Sequence, residues 1–262
     1  MTAESVLITG TTSGVGQALL EHYARIGTQV VSVNRRRVPE LETAHPSVRF
    51  EHVDVRSAEA VAGLVRSLED SAQLPNVFIL NAGINRIDND ESFELDNYRA
   101  VIETNLYGVL HFVEPLIRLP ATGVPRHVIA ISSMASYAGN PHGLGYTTSK
   151  KSVTACFDVW SRMYAGTDLV FQQVMLGPVH TAIYTMAEHF PAWMVSIKNA
   201  LSASPEATAR AISQFALTRR RKLFYPRRAV PLFLGMGLGQ TLVPGLFQGQ
   251  KTLGQKARRQ PP

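Results

Sequence analysis

The chain predicts an α/β fold, a parallel sheet covered by helices on both faces, in one domain. Three observations carry that prediction. Short apolar runs alternate with stretches of helical periodicity from the N-terminus to about residue 225. The first run feeds a glycine turn, TGTTSGVG, that opens a helix. Finally, 262 residues with 45% hydrophobic and 18% charged side chains suit one large domain with an ample core.

Strand one, Val6 to Thr9, enters the turn holding Gly10, Ser13, Gly14, Val15 and Gly16. Glycine there keeps the turn tight and lets backbone approach a pyrophosphate, while the following helix, about Val15 to Ile26, aims its N–H groups at the phosphates. The spacing is G-x-x-x-G-x-G. Strand two, Gln29 to Asn34, ends in Arg35, Arg36 and Arg37, with no acid until Glu40. A carboxylate at that strand end would take the ribose 2′-hydroxyl of NAD, whereas arginine suits the 2′-phosphate of NADP. The reading is therefore NADP(H) in preference to NAD(H), with Arg35 as phosphate ligand, Arg36 as helper and Arg37 merely solvated.

Strand three, Val48 to Val53, closes on Asp54 and Val55, the acid placed to accept from an adenine amino group. A helix from about Ser57 to Ala72 carries Val61, Leu64, Val65 and Leu68 on one face. Strand four, Val77 to Leu80, runs into Asn81, Ala82 and Gly83, small enough for a cofactor to cross the sheet edge. A long helix, about Asp96 to Leu119, follows, with Pro115 tightening its last turns. Asn105 inside it is either a satisfied core amide or a functional donor.

Strand five, His127 to Ser132, leads into SSMASYAGNPHGLGYTTSK. If the end of this stretch is helical, Tyr146 and Lys150 share a face one turn apart. An ammonium about 4 Å away, at a dielectric of about 20, is worth roughly 4 kcal/mol, enough to draw a phenol from near 10 towards an operating pH near 7. Such pairs also arise by chance, so the pair takes its meaning from its surroundings. Gly139 to Gly145 reads as a loop and Tyr146 to Tyr164 as a helix. Strand six, Leu169 to Met175, ends in LGPVHT, where Gly177 and Pro178 redirect the chain and Val179 and Thr181 face the nicotinamide carboxamide. His180 reads as a pocket wall. Residues 182–203, rich in aromatic and Met side chains, form either an apolar substrate lid or a helix packed on the sheet. A helix from about Pro205 to Leu217 and a strand, Leu223 to Tyr225, complete the sheet.

Taken in register, TGTTSGVG, Asp54-Val55, Asn81-Ala82-Gly83, Asn105, the Ser132-Ser133 pair, Tyr146-x-x-x-Lys150 and GPVHT resemble the short-chain dehydrogenase/reductase family across about residues 5 to 225. The resemblance implies a Rossmann-type, doubly wound sheet of seven strands in the order 3-2-1-4-5-6-7, binding cofactor and substrate in one domain. It implies a catalytic four. Tyr146 exchanges a proton with the substrate oxygen and Ser133, thirteen residues before it, holds that oxygen. Lys150 depresses the tyrosine pKa and bonds the nicotinamide ribose, and Asn105 anchors a relay water. The GPVHT segment is similar to that of 17β-hydroxysteroid dehydrogenases, which points to a bulky apolar substrate. The expected enzyme is an NADP(H)-dependent oxidoreductase of carbonyls and secondary alcohols, a carbonyl reductase in one direction. The alternative is a catalytically silent NADP(H)-binding scaffold or redox sensor. The resemblance also suggests a homodimer or homotetramer through the two long helices.

Composition limits the remaining classes. One cysteine, Cys156, excludes a disulfide framework, and no Cys/His cluster has metal-ligand spacing, so no metal is expected. The polar lead MTAES runs directly into a strand, so a cytoplasmic setting is expected. The net charge of +6 conceals an asymmetry: residues 207–262 hold eleven Lys and Arg and no acid. No helix-turn-helix or aromatic-interleaved basic patch accompanies them, which argues against nucleic acid. Residues 1–226 are thus read as the redox domain and 227–262 as an apolar, basic extension. Its uncharged run, AVPLFLGMGLGQTLVPGLF, looks a poor continuous helix because of its prolines and glycines. The extension is an arm over the substrate mouth, a dimer contact or a peripheral membrane contact.

Overall fold

In the computed structural model, seven strands form a wholly parallel sheet in the order β3-β2-β1-β4-β5-β6-β7. The structure describes residues 4–86, 93–137, 143–181 and 192–242. The strands are β1 Ser5–Thr9, β2 Gln29–Asn34, β3 Arg49–His52, β4 Val77–Leu80, β5 Arg126–Ser133, β6 Leu169–Leu176 and β7 Lys222–Tyr225. This is a Rossmann-type α/β architecture in one domain, as expected.

The strands are apolar on both sides because both sides are covered, and alternate residues supply alternate layers. In β1, Val6 and Ile8 join Leu19, Leu20 and Tyr23 of α1 (Gly14–Arg25) and Ile212 and Phe215 of α8 (Pro205–Ala216). Leu7 turns to the opposite core with Phe78, Val128 and Phe171. There it meets α3 (Ala58–Asp70), α5 (Gly108–Arg118) and α6 (Leu144–Met163). The predicted stripe Val61, Leu64, Val65 and Leu68 of α3 is buried in this layer. Two helix starts follow from capping chemistry. Ser57 Oγ accepts from Ala60 N at 3.2 Å, and Ser204 Oγ accepts from Ala207 N at 3.1 Å with Pro205 at the first helical position.

Three elements differ from the sequence expectation. A six-residue helix, α2 (Pro39–Ala44), follows the arginine run. The single long helix resolves into α4 (Leu95–Ile102), a π-turn over Glu103–Tyr107 and then α5. And α9 (Val230–Leu242) is a helix of 13 residues despite its glycines. Pro231 falls in its first turn, where a missing N–H costs nothing. Gly237 lies against the Tyr137 carbonyl, where a Cβ would stand 2.6 Å from the oxygen, so close docking requires the glycine. The loop predicted over Gly139 to Gly145 lies largely outside the described residues. So do residues 182–191 of the apolar segment 182–203; its remainder holds α7 (Ala192–Leu201).

Between β1 and β4 the order reverses, so the crossovers leave to opposite faces and open a crevice at the strand carboxyl ends. The predicted site residues converge there.

Candidate active site

The crevice is a cleft of about 620 Å³. The turn after β1 is built on glycine. Gly10 has φ +72°, and a Cβ on it would stand 2.9 Å from Ala82 Cα. A Cβ on Gly16 would overlap the Gly10 carbonyl oxygen, so the start of α1 packs directly on the turn. The first turn of α1 carries no acid, and Ser13 makes no side-chain cap. Ser13, Gly14 and Val15 at that helix start line the cleft, so its positive end is uncompensated there, an arrangement suited to an anion.

Two predicted contacts serve the frame with their side chains. Asn34 Oδ1 accepts from Thr11 N at 2.8 Å, and its Nδ2 donates to Thr11 Oγ1 and Ser32 Oγ, both at 2.9 Å. Asn81 Nδ2 donates to the carbonyls of Thr9 and Gly10 at 3.0 Å. Both residues still line the cleft.

At one end, the exposed Arg35 and Arg36 line the wall beside Asp54 and Val55. Arg37 instead pairs with Glu42 at 3.0 Å. A cation that the sequence reading missed, Arg56, also lines the wall. Its guanidinium donates to both Asp54 carboxylate oxygens at 2.6 to 3.0 Å, and its backbone N–H to one of them at 3.0 Å. Those bonds hold the Asp54 carboxyl below its usual range. Any such role had no local signature, since an arginine two residues after an aspartate is ordinarily a solvated charge.

At the other end, Tyr146 and Lys150 lie one turn apart on the first part of α6, both buried. Lys150 Nζ donates to the Ile131 carbonyl at 2.7 Å and stands 5.7 Å from the centre of the Tyr146 ring. Burial pushes the Lys150 ammonium down to about 8. Ser133 Oγ donates to the Leu176 carbonyl at 3.2 Å and accepts from Ala135 N at 3.1 Å. Its neighbour Ser132 is engaged elsewhere, by the Lys150 carbonyl at 3.2 Å and Thr154 Oγ1 at 2.7 Å.

Asn105 sits in the π-turn, fully buried behind the cleft wall. Its Oδ1 accepts from Ile84 N at 2.8 Å, and its Nδ2 donates to the Ile84 carbonyl at 2.9 Å and to Ser149 Oγ at 3.1 Å. Ser149 Oγ in turn donates to the Tyr146 carbonyl at 2.8 Å. Asn105 thus joins the loop after β4 to the helix that carries Tyr146. Ser149 was visible in the sequence only as a filler between tyrosine and lysine.

Gly83, Gly177, Val179 and Thr181 also line the cleft, with Thr181 over Gly14. Pro178 does not reach it; its carbonyl accepts from Ala203 N at 3.1 Å. His180 is exposed.

A glycine turn and a buried Tyr-Lys-Ser group thus meet in one cleft at the carboxyl ends of a Rossmann-type sheet. In comparison with known proteins, the short chain dehydrogenase family matches residues 4–191, and the chain belongs to that family. Membership places it among nicotinamide-dependent oxidoreductases of alcohol and carbonyl groups. A 3beta-hydroxysteroid dehydrogenase of Mediterraneibacter gnavus is 26% identical over 250 residues, covering 83% of this chain and 90% of its own. An uncharacterized oxidoreductase of Myxococcus xanthus is 27% identical over 157 residues, covering 57% of this chain and 62% of its own, so that match spans less than two thirds of the relative. A short-chain dehydrogenase from Streptomyces avermitilis superposes with a TM-score of 0.77 over 96% of this chain and 98% of that one, at 19% identity, a likeness of fold.

Proposed function

We propose that residues 1–226 form an NADP(H)-dependent oxidoreductase for a carbonyl or secondary alcohol on a lipophilic substrate. The observation that carries this reading is the buried Lys150 ammonium beside the Tyr146 ring at the end of a glycine-built cleft. A bound nicotinamide dinucleotide supplies the hydride in reduction and receives it in oxidation. The residues fit such a group: Gly10 and Gly16 allow the tight turn that opens α1 at the cleft, and Arg35 and Arg36 line the wall that would receive a 2′-phosphate.

Within this reading the Tyr146 hydroxyl gives a proton to the substrate oxygen in reduction and takes it back in oxidation. The Ser133 hydroxyl turns from the Leu176 carbonyl to donate to that same oxygen as it gains charge. Lys150, held by the Ile131 carbonyl, favours the ionised phenol through its charge and has further protons to offer a ribose hydroxyl. Asn105 and Ser149 fix the backbone under Tyr146. The relay-water role for Asn105 rests on the one Oδ1 lone pair its bonds leave.

A lipophilic substrate is supported by the GPVHT segment and by the relative named a 3beta-hydroxysteroid dehydrogenase. Association as a homodimer or homotetramer is supported by the exposed Val159 and Met163 on α6 and Tyr107 beside α5. The test is turnover of NADPH and NADH with a panel of ketones, aldehydes, sterols and fatty-acyl carbonyls. Faster oxidation of NADPH than of NADH with an apolar carbonyl is expected. Cofactor binding without turnover across the panel would favour the silent scaffold.

A further inference from the structure

Among the described residues, α9 carries no charged side chain, yet it does not bury its whole circumference. Its inner side is fixed. Val230 and Phe233 pack with Tyr137, Phe224 and the buried Met134 and Met175, and Gly237 meets the Tyr137 carbonyl. At 100° per residue Leu234 lies at the margin of that side, Leu238 beyond it and Leu232 most nearly opposite. They are 43%, 62% and 38% exposed. A helix apolar all round is ordinarily buried on every side. What covers α9 must therefore be apolar.

Charge selects the cover. Arg227 and Arg228 immediately precede α9, and every charged residue from 207 to the end of the sequence is basic, eleven in all. In a two-fold contact about α9 a second copy would bring its own Arg227 and Arg228 towards this pair, and like charges would oppose it. An anionic lipid surface meets both demands, taking the leucines at the headgroup–acyl boundary and the arginines among the headgroups. The 13 described residues of α9 span about 20 Å at 1.5 Å per residue, and among the described residues no helix is long and apolar enough to cross a membrane. The geometry is that of a helix lying in a membrane surface. Arg228 also donates to the carbonyls of Leu201 and Ser202, tying the start of α9 to the end of α7.

We propose that α9 docks this protein on anionic membranes through Leu234 and Leu238, beside the turn Met134–Ser136 that follows Ser133. The inference stands apart from the redox reading, and its readout is lipid binding alone.

The test is co-sedimentation of the full chain with vesicles of phosphatidylcholine alone or mixed with phosphatidylglycerol. Binding to the anionic vesicles, much weaker binding to the neutral ones and release by salt are expected. A Leu234→Glu/Leu238→Glu variant should bind about 100-fold more weakly, from the burial lost at two leucines. Leu238→Gln alone, at the most exposed position, should weaken binding about tenfold with an unchanged circular dichroism spectrum and melting temperature. The proposal is overturned if the native chain stays in the supernatant, or if Leu238→Gln binds like the native chain. It is equally overturned if the substitutions alter the oligomer's mass and leave lipid binding intact.

Discussion

Asn105 Nδ2 lies 3.1 Å from Ser149 Oγ, and that hydroxyl donates to the Tyr146 carbonyl at 2.8 Å. The π-turn in the helix before β5 is therefore joined to the first turn of α6. A π-turn is costly in isolation and tends to appear where a side chain must be aimed. Here it aims Asn105 at both backbone groups of Ile84 as well.

Removing Ser149 separates positioning from chemistry. Ser149→Ala leaves an Asn105 amide hydrogen buried without its acceptor, which costs about 1–3 kcal/mol of stability. Turnover should fall by about tenfold while the Michaelis constant for cofactor changes little, because the phosphate cradle is remote. Combining it with Asn105→Ala should cost less than the sum of the two, since both act through one connection. Additive losses in melting temperature and turnover would show that the pair does not act as a unit.

Under the proposed NADP(H) reading, the arginines on the cleft wall predict cofactor preference. Arg35→Ala should weaken NADPH binding at least tenfold, a charge-assisted bond being worth about 1.5–3 kcal/mol, and alter NADH binding little. Arg56→Gln should shift preference the same way by a different route. It exposes the Asp54 carboxylate, whose charge Arg56 now offsets, to an incoming phosphate. Fluorescence titration with both cofactors checks each variant, and equal losses for NADPH and NADH would contradict the assignment.

Lys150 predicts a pH dependence. Burial places its folded value at about 8, below the ordinary range for a lysine, so the ammonium is present below pH 8 and lost as pH rises through it. Carbonyl reduction should decline through that window. For stability the sign is opposite. Between about pH 8 and the unfolded lysine value near 10.4, the unfolded chain binds more protons, so the Lys150 contribution to stability rises with pH. Lys150→Met should remove that component, which melting curves of both proteins across pH 7 to about 10 can measure.

Much of this was readable because local chemistry and tertiary structure agree. β2 and β4 have the bounds that their apolar runs predict, Gln29–Asn34 and Val77–Leu80, since both are buried on two faces and end at turn residues. The glycines and the Tyr146–Lys150 interval also survive in three dimensions as one cleft. What was not readable depends on distant partners. Asn105 stood out only through the family resemblance, and nothing in the sequence points to its bonds with Ile84 and Ser149. Arg56 reads as solvated until its bonds with Asp54 appear on the cleft wall. The glycines of α9 read as helix breakers, but Gly237 is what lets that helix approach the Tyr137 backbone.

The central claim is proton exchange at the Tyr146 hydroxyl, and Tyr146→Phe tests it most directly. The ring stays to fill its buried site while the only exchangeable proton is removed. NADPH oxidation should fall by at least about 100-fold with NADPH affinity unchanged, since general acid catalysis contributes about 10²–10⁴. A Tyr146→Phe protein that turns over at the native rate would contradict the account.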